Sequence, residues 1–126
     1  MNTTPVDPTL IVEWPRLLQF RDLQPPGQPD VVLELIGDFL MDSERRMKLL
    51  HEAAAEQKWR DVGHQAHTLK GSASLLACEP LRVAAEVVET ATRTGVTDGL
   101  PAAIAALDDA LALARTALAN GPPEQS

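Results

Sequence analysis

The residues best suited to chemistry lie in the segment WRDVGHQAHTLKGSASLLAC, between Trp59 and Cys78. His67 is the candidate nucleophile, because an imidazole with an ordinary pKa of about 6.5 is largely neutral near pH 7. Lys70 and Gly71 follow it by three and four residues, which makes them neighbours of His67 if the segment is helical. A lysine ammonium can offset the charge of a phosphoryl group on the imidazole. This spacing therefore indicates a nucleophilic histidine with a cation beside it.

A helix through this segment, wound at about 100° per residue, divides into two faces. The face opposite His67 is apolar and consists of Trp59, Val62, Ala66, Leu69, Ala73 and Leu76. The face within roughly 60° of His67 carries a different set, namely Arg60, Gly63, His64, Lys70, Gly71 and Ser74. We expect the first face to be buried and the second to be an exposed surface for a partner.

Two glycines flank His67 along the predicted helix. A glycine inside a helix costs about 1 kcal/mol relative to alanine, so its presence needs a reason. Gly71 lies one turn after His67 and Gly63 one turn before it. Both remove bulk beside the imidazole, and we interpret them as clearing space for another molecule. A lone helical histidine is usually solvated or part of a core, but these neighbours favour a functional role.

The sequence Ala66-His67-Thr68-Leu69-Lys70-Gly71-Ser72 resembles the signature of the histidine-phosphotransfer (HPt) domains of bacterial multistep phosphorelays. The similarity extends over roughly residues 28–118, which include an amphipathic helix, a short break, the histidine helix and two further helices. It implies that His67 accepts a phosphoryl group from an aspartyl phosphate of one receiver domain and passes it to an aspartate of another. By the same resemblance, Lys70 would stabilise the phosphoryl oxygens and Gly71 would let the receiver approach.

Three further positions enter through this resemblance. Family members often carry a small or amide residue where this chain has Leu75, and frequently a glycine where it has Ala77. Leu75 is therefore included in the expected partner surface, together with Arg60, Gly63, His64 and Ser74. Some relatives also have a basic side chain from the following helix over the site, and Arg93 is the candidate here.

The resemblance also implies the partners: receiver domains of a hybrid histidine kinase and of a response regulator. No cofactor is expected in this chain, and the magnesium that assists transfer would belong to the receiver. The sequence has no GxxxxGKS or GxGxxG nucleotide loop. We therefore expect a phosphoryl carrier and not an enzyme that phosphorylates itself from ATP.

The amino-acid composition and the positions of proline and glycine predict the helices that position these residues. Apolar residues make up 44% of the 126-residue chain, with two Phe, two Trp and no Tyr, which favours an all-α fold with a core of Leu, Val, Ile and Ala. Proline- and glycine-rich breaks at 24–29 and 95–99 separate the helical patterns. We expect helices near 10–23, 30–56, 58–77, 80–94 and 100–119.

These elements predict an up-down antiparallel four-helix bundle with an additional short N-terminal helix. The bundle would occupy residues 10–120, between a flexible N-terminus at 1–9 and a flexible tail at 121–126. Pro80 and Pro101 are placed where helices could begin, since a proline in the first turn gives up no helical hydrogen bond. A monomer is the expected state, because nothing in the pattern demands a second copy.

Charge and cysteine content exclude several classes of function. A net charge of -7 argues against binding to nucleic acid, which depends on clustered lysines and arginines. One cysteine, Cys78, rules out an internal disulfide and fits a reducing compartment. The sequence lacks a signal-peptide pattern and an 18-residue apolar run, so no membrane contact is expected and a cytoplasmic location is favoured.

Two alternative functions are compatible with a helical bundle. The first is a module that docks receivers or kinases through the same surface without being phosphorylated, although His67, Lys70 and Gly71 together argue against it. The second is a metal-binding bundle, since His64 and His67 lie one turn apart. The chain lacks HExxH and paired ExxH motifs, so we expect no metal.

Overall fold

The described part of the chain is helical. A computed structural model describes residues 11–123, and within that range lie five α-helices and no strand. The helices are α1 (Trp14–Asp22), α2 (Val31–Ala55), α3 (Trp59–Leu75), α4 (Glu79–Thr94) and α5 (Leu100–Asn120). The all-α prediction is confirmed. The predicted flexible N-terminus at 1–9, and 124–126 of the predicted tail, lie outside the described residues.

The helix starts follow local sequence signals. Pro80 and Pro101 are the second residues of α4 and α5, as expected for prolines in the first turn of a helix. Asp30 caps α2, because its carboxylate accepts hydrogen bonds from the backbone N–H groups of Val32 and Leu33. These signals set the residues at which α2, α4 and α5 begin.

The turns on either side of α3 use the left-handed backbone region. Gln57 has a φ of 57° and Ala77 a φ of 59°, a conformation that costs a non-glycine residue about 1–2 kcal/mol. Ala77 is the position where the resembling family often has glycine, and the backbone here adopts the conformation that glycine favours. Because of this turn, α3 ends at Leu75, two residues before its predicted end at 77.

The apolar face predicted for α3 packs into the core. Five of its six predicted members are at most 2% exposed: Val62, Ala66, Leu69, Ala73 and Leu76. The sixth, Trp59, is partly buried against the same core. The opposite face of α3 is thereby turned to solvent, with His67 on it.

Each of the four longer helices packs against two of the other three, and α2 also contacts α1. α3 contacts α2 and α4, and α5 contacts α4 and α2, while α1 packs against α2. The guanidinium of Arg115 on α5 donates to the carbonyl oxygen of Leu40 and to the hydroxyl of buried Ser43, each at 2.7 Å. In the described residues, no helix has the length and apolar character needed to cross a membrane.

Candidate functional site

The site is centred on the outer face of α3, where α4 lies alongside. The side chain of His67 is 64% exposed. The two helices run antiparallel, because Gly63 faces Thr92 while His67 and Lys70 both reach Glu89. The histidine is therefore held on a rigid helix, and its closest support comes from the next helix along the chain.

Glu89 bridges the imidazole and the lysine. Its Oε2 lies 2.6 Å from Nδ1 of His67, and its Oε1 lies 2.5 Å from Nζ of Lys70. An ionised carboxylate only accepts hydrogen bonds, so in neutral His67 the ring proton is on Nδ1. Nε2 then carries the lone pair, and it makes no hydrogen bond to any residue between 11 and 123. The arrangement leaves the outward nitrogen available as a nucleophile.

The bridging carboxylate is ionised at neutral pH. The hydrogen bond from Lys70 is the largest factor that lowers the pKa of Glu89, and the hydrogen bond from His67 adds to it, while burial opposes both. The side chain of Glu89 is 15% exposed. A lowered folded pKa means that this carboxylate stabilises the fold above its ordinary pKa of 4.5. That stabilisation is lost as the pH falls through the lowered value.

Lys70 lies beside His67, as its spacing predicts, but its contact in the structure is with Glu89. Its side chain is 26% exposed. An ammonium has three donors, so two remain for other oxygens at this surface. Its role toward a phosphoryl group stays a prediction.

The site is open on the side next to Gly71. It is exposed, and a Cβ built on it would have no atom within 4 Å. The space one turn after His67 is therefore empty on the protein side, which is compatible with the predicted approach of another molecule.

Gly63 has a different environment from the one expected. A Cβ at this position would overlap the hydroxyl oxygen of Thr92 on α4. The space that a side chain would need here is thus filled by Thr92, and the glycine permits close packing of the two helices. Gly63 still lines the groove beside His67, and its part in partner binding stays a prediction.

A groove on the N-terminal side of His67 is lined by the basic residues that the sequence predicts for the partner surface. It is lined by Arg60 and His64 from α3 and by Arg93 from α4, with His67 and Glu89 at its other wall. Within residues 11–123, neither arginine forms an ion pair. The structure thus brings Arg93 to the same groove as His67, and this end of the site is positively charged.

The opposite end of the site is apolar. Ser74 and Leu75 line a depression with Arg16, Phe20 and Leu23 of the α1 region. Leu75 is 46% exposed and Leu23 is 81% exposed, and Arg16 donates to the carbonyl oxygen of Ser74 at 3.1 Å. α1 therefore extends the face of α3 beyond Gly71.

Glu89 is the site residue that the sequence did not reveal. A partial signal exists, because Leu81, Ala85 and Val88 form the buried stripe of α4 and Glu89 lies at its edge. Glu79 and Glu86 are further acids of the same helix, and both pair with Arg82. The choice among these acids depends on how α4 lies against α3.

Comparisons with known proteins agree with this geometry. The family model described as "Hpt domain" matches residues 34–117. The crystal structure of histidine-containing phosphotransfer protein B (HptB) from Pseudomonas aeruginosa PAO1 superposes with a TM-score of 0.78 and 24% identity, over 87% of this chain and 92% of that one. A search of curated proteins gives no significant match. The structural similarity shows a shared fold, and the family model covers most of the chain from α2 to α5, so this chain belongs to the Hpt family of histidine-phosphotransfer domains.

Proposed function

We propose that this Hpt domain carries a phosphoryl group on Nε2 of His67 between the aspartates of two receiver domains in a phosphorelay. The observation that carries this proposal is the state of the imidazole. Its Nδ1 is held by Glu89 at 2.6 Å, and the ring is exposed beside the empty space at Gly71. A nucleophile that is oriented and accessible needs only a phosphorylated partner.

The transfer follows from the tautomer. The Nε2 lone pair forms a bond to phosphorus as the P–O bond of the aspartyl phosphate breaks, and the aspartate leaves as a carboxylate. No proton has to depart, because Nδ1 keeps its hydrogen. The ring becomes formally cationic, and the carboxylate of Glu89 at Nδ1 offsets that charge. Return of the phosphoryl group to another aspartate reverses these steps.

Lys70 stabilises both the positive charge on the ring and the negative charge on the phosphoryl group of the intermediate. Its bond to Glu89 keeps that carboxylate ionised, which supports the cationic ring. Its ammonium has two further N–H donors, which we propose donate to the phosphoryl oxygens. We therefore assign Lys70 the electrostatic role that the family resemblance implies.

The receiver-binding surface that we propose has two chemically different ends. Arg60, His64 and Arg93 form the basic end, which suits the acidic residues around the receiver's aspartate and its magnesium. Ser74 and Leu75 belong to the apolar end, which suits an apolar patch on the receiver. His67 lies between the two ends, so a receiver that covers both would place its aspartate over the imidazole.

Gly71→Gln tests the approach of the receiver. We expect the variant to fold at least as well as the wild type, because its side chain meets no atom and glutamine is the better helix former. Transfer should slow at least tenfold, since the new side chain occupies the space through which the receiver must approach. Stopped-flow or quenched-flow transfer from a phosphorylated receiver measures this rate, and an unchanged rate in the folded variant would remove the steric argument.

The finer features of the domain are also proposals. We propose that α2 to α5 form an up-down antiparallel four-helix bundle, with α1 as the additional helix, within a domain at residues 10–120. Links from Arg115 to Ser43 and from His51 to Asp108 support an antiparallel α2–α5 pair. We also propose a monomeric, cytoplasmic carrier without a nucleotide site, in line with the single free cysteine, Cys78.

A labelling experiment tests the function directly. With labelled ATP and magnesium alone, the purified protein should stay unlabelled; with a phosphorylated receiver, it should acquire an acid-labile, base-stable phosphoramidate. A panel of receivers, compared by transfer rate, would identify the physiological pair. Labelling from ATP in a kinase-free preparation would contradict the proposal, and receiver binding without any label would favour the alternative of a docking module.

A further inference from the structure

The close contact between Gly63 and Thr92 lies next to the reactive pair. A Cβ on Gly63 would overlap the hydroxyl oxygen of Thr92 and lie 3.4 Å from its Cβ. The Thr92 side chain is fixed in this position, because its hydroxyl donates to the carbonyl oxygen of Glu89 at 2.8 Å. At this point the space that a side chain on residue 63 of α3 would need is taken by Thr92 of α4.

The same two helices carry the bridge between His67 and Glu89. Gly63 precedes His67 by four residues, and Thr92 follows Glu89 by three, so the two contacts are about one helical turn, or ~6 Å, apart. A displacement of α4 at Thr92 is passed to Glu89 through one turn of rigid helix. A hydrogen bond of 2.6 Å is largely lost if its atoms separate by about 1 Å.

We propose that Gly63 and Thr92 are positioning residues for phosphotransfer: their contact sets the spacing of α3 and α4 at which Glu89 reaches both His67 and Lys70. The consequence for transfer rests on the proposed function of His67. The consequence for the tautomer of His67 does not, because it concerns the protein before any phosphorylation. This assigns the glycine a role in the geometry of the site that is separate from partner access.

Gly63→Ala is the decisive variant, and Gly37→Ala is its matched control. Gly37 is also a glycine within a helix, but a Cβ there would meet no atom within 4 Å. We expect Gly63→Ala to slow transfer at least fivefold at unchanged helical content, and Gly37→Ala to transfer at the wild-type rate. The ¹⁵N shifts of the His67 ring should report Nδ1–H in the wild type and the control. In Gly63→Ala they should move toward the Nε2–H form that predominates in free histidine.

A second substitution distinguishes spacing from general damage. In Gly63→Ala/Thr92→Ala the overlapping hydroxyl is gone, and the ¹⁵N signature and the transfer rate should return toward the wild type. If Gly63→Ala fails to fold, a folded double variant with the Nδ1–H signature still supports the proposal. A double variant that is unfolded, or folded without that signature, overturns it.

The ¹⁵N shifts of the His67 ring and the transfer assay test different claims, so one can contradict its claim while the other supports its own. Wild-type ring shifts and a wild-type transfer rate in folded Gly63→Ala would overturn the positioning role. If no receiver labels even the wild-type protein, the proposed function fails, while the ring shifts of these variants still decide whether Gly63 and Thr92 position Glu89.

Discussion

His67→Gln is expected to abolish phosphoryl acceptance while leaving the fold intact. The histidine side chain is 64% exposed, and exposed residues away from the core usually change stability by less than about 0.5 kcal/mol. A glutamine amide has no lone pair of comparable nucleophilicity, although it can still hydrogen-bond to Glu89. Mass spectrometry under neutral or alkaline conditions, after incubation with a phosphorylated receiver, measures acceptance, and circular dichroism checks the fold.

His64→Gln is the matched control for this prediction. His64 also lies exposed in the groove, but Lys70 and Gly71 follow it by six and seven residues, almost two turns away. Glu89 reaches His67 and not His64. We expect His64→Gln to keep most of the acceptance. Phosphate on the His67→Gln protein, or its loss from folded His64→Gln protein, would show that the nucleophile is a different residue.

The helices could be predicted because their signals are local. Proline in the first turn of α4 and α5, and the glycine-bounded break between them, identify ends without knowledge of the rest of the fold. The end of α3 could not be placed as well. The turn there depends on Ala77 at positive φ, and an alanine, unlike a glycine, gives no sign of that conformation in the sequence.

The site residues also fall into two groups: those whose proximity the local sequence predicts, and those brought together by helix packing. His67, Lys70 and Gly71 lie on one helix, so their proximity follows from spacing alone. Glu89 is 22 residues from His67, and its proximity depends on the register of two packed helices. Gly63 and Gly71 show the same limit of sequence reasoning. Each lies one turn from His67 in the sequence, but Gly71 faces empty space and Gly63 faces Thr92.

The bridge through Glu89 explains how an acidic side chain can lie beside the histidine that we propose as the phosphoryl acceptor. A carboxylate placed alone next to His67 would repel an incoming phosphoryl group. Here its charge is shared with Nζ of Lys70 at 2.5 Å, so the pair is close to neutral toward the surface. What remains is a strong acceptor at Nδ1, which orients the ring and stabilises the charge that develops on it.

Glu89→Ala should therefore slow phosphoryl acceptance about a hundredfold, an effect typical of removing one preorganised electrostatic partner. Glu89→Gln should slow it only about tenfold, because the amide oxygen can still accept from Nδ1 and keep the reactive tautomer, while the negative charge and the hydrogen bond from Lys70 are lost. Glu86→Gln is the control, since Glu86 lies on the same helix but pairs with Arg82. Single-turnover transfer from one phosphorylated receiver, with ¹⁵N shifts of the His67 ring for each variant, separates orientation from charge. Equal rates for Glu89→Ala and the wild type would mean that His67 reacts without its neighbour on α4, whereas equal losses in the alanine and glutamine variants would assign the whole effect to the charge.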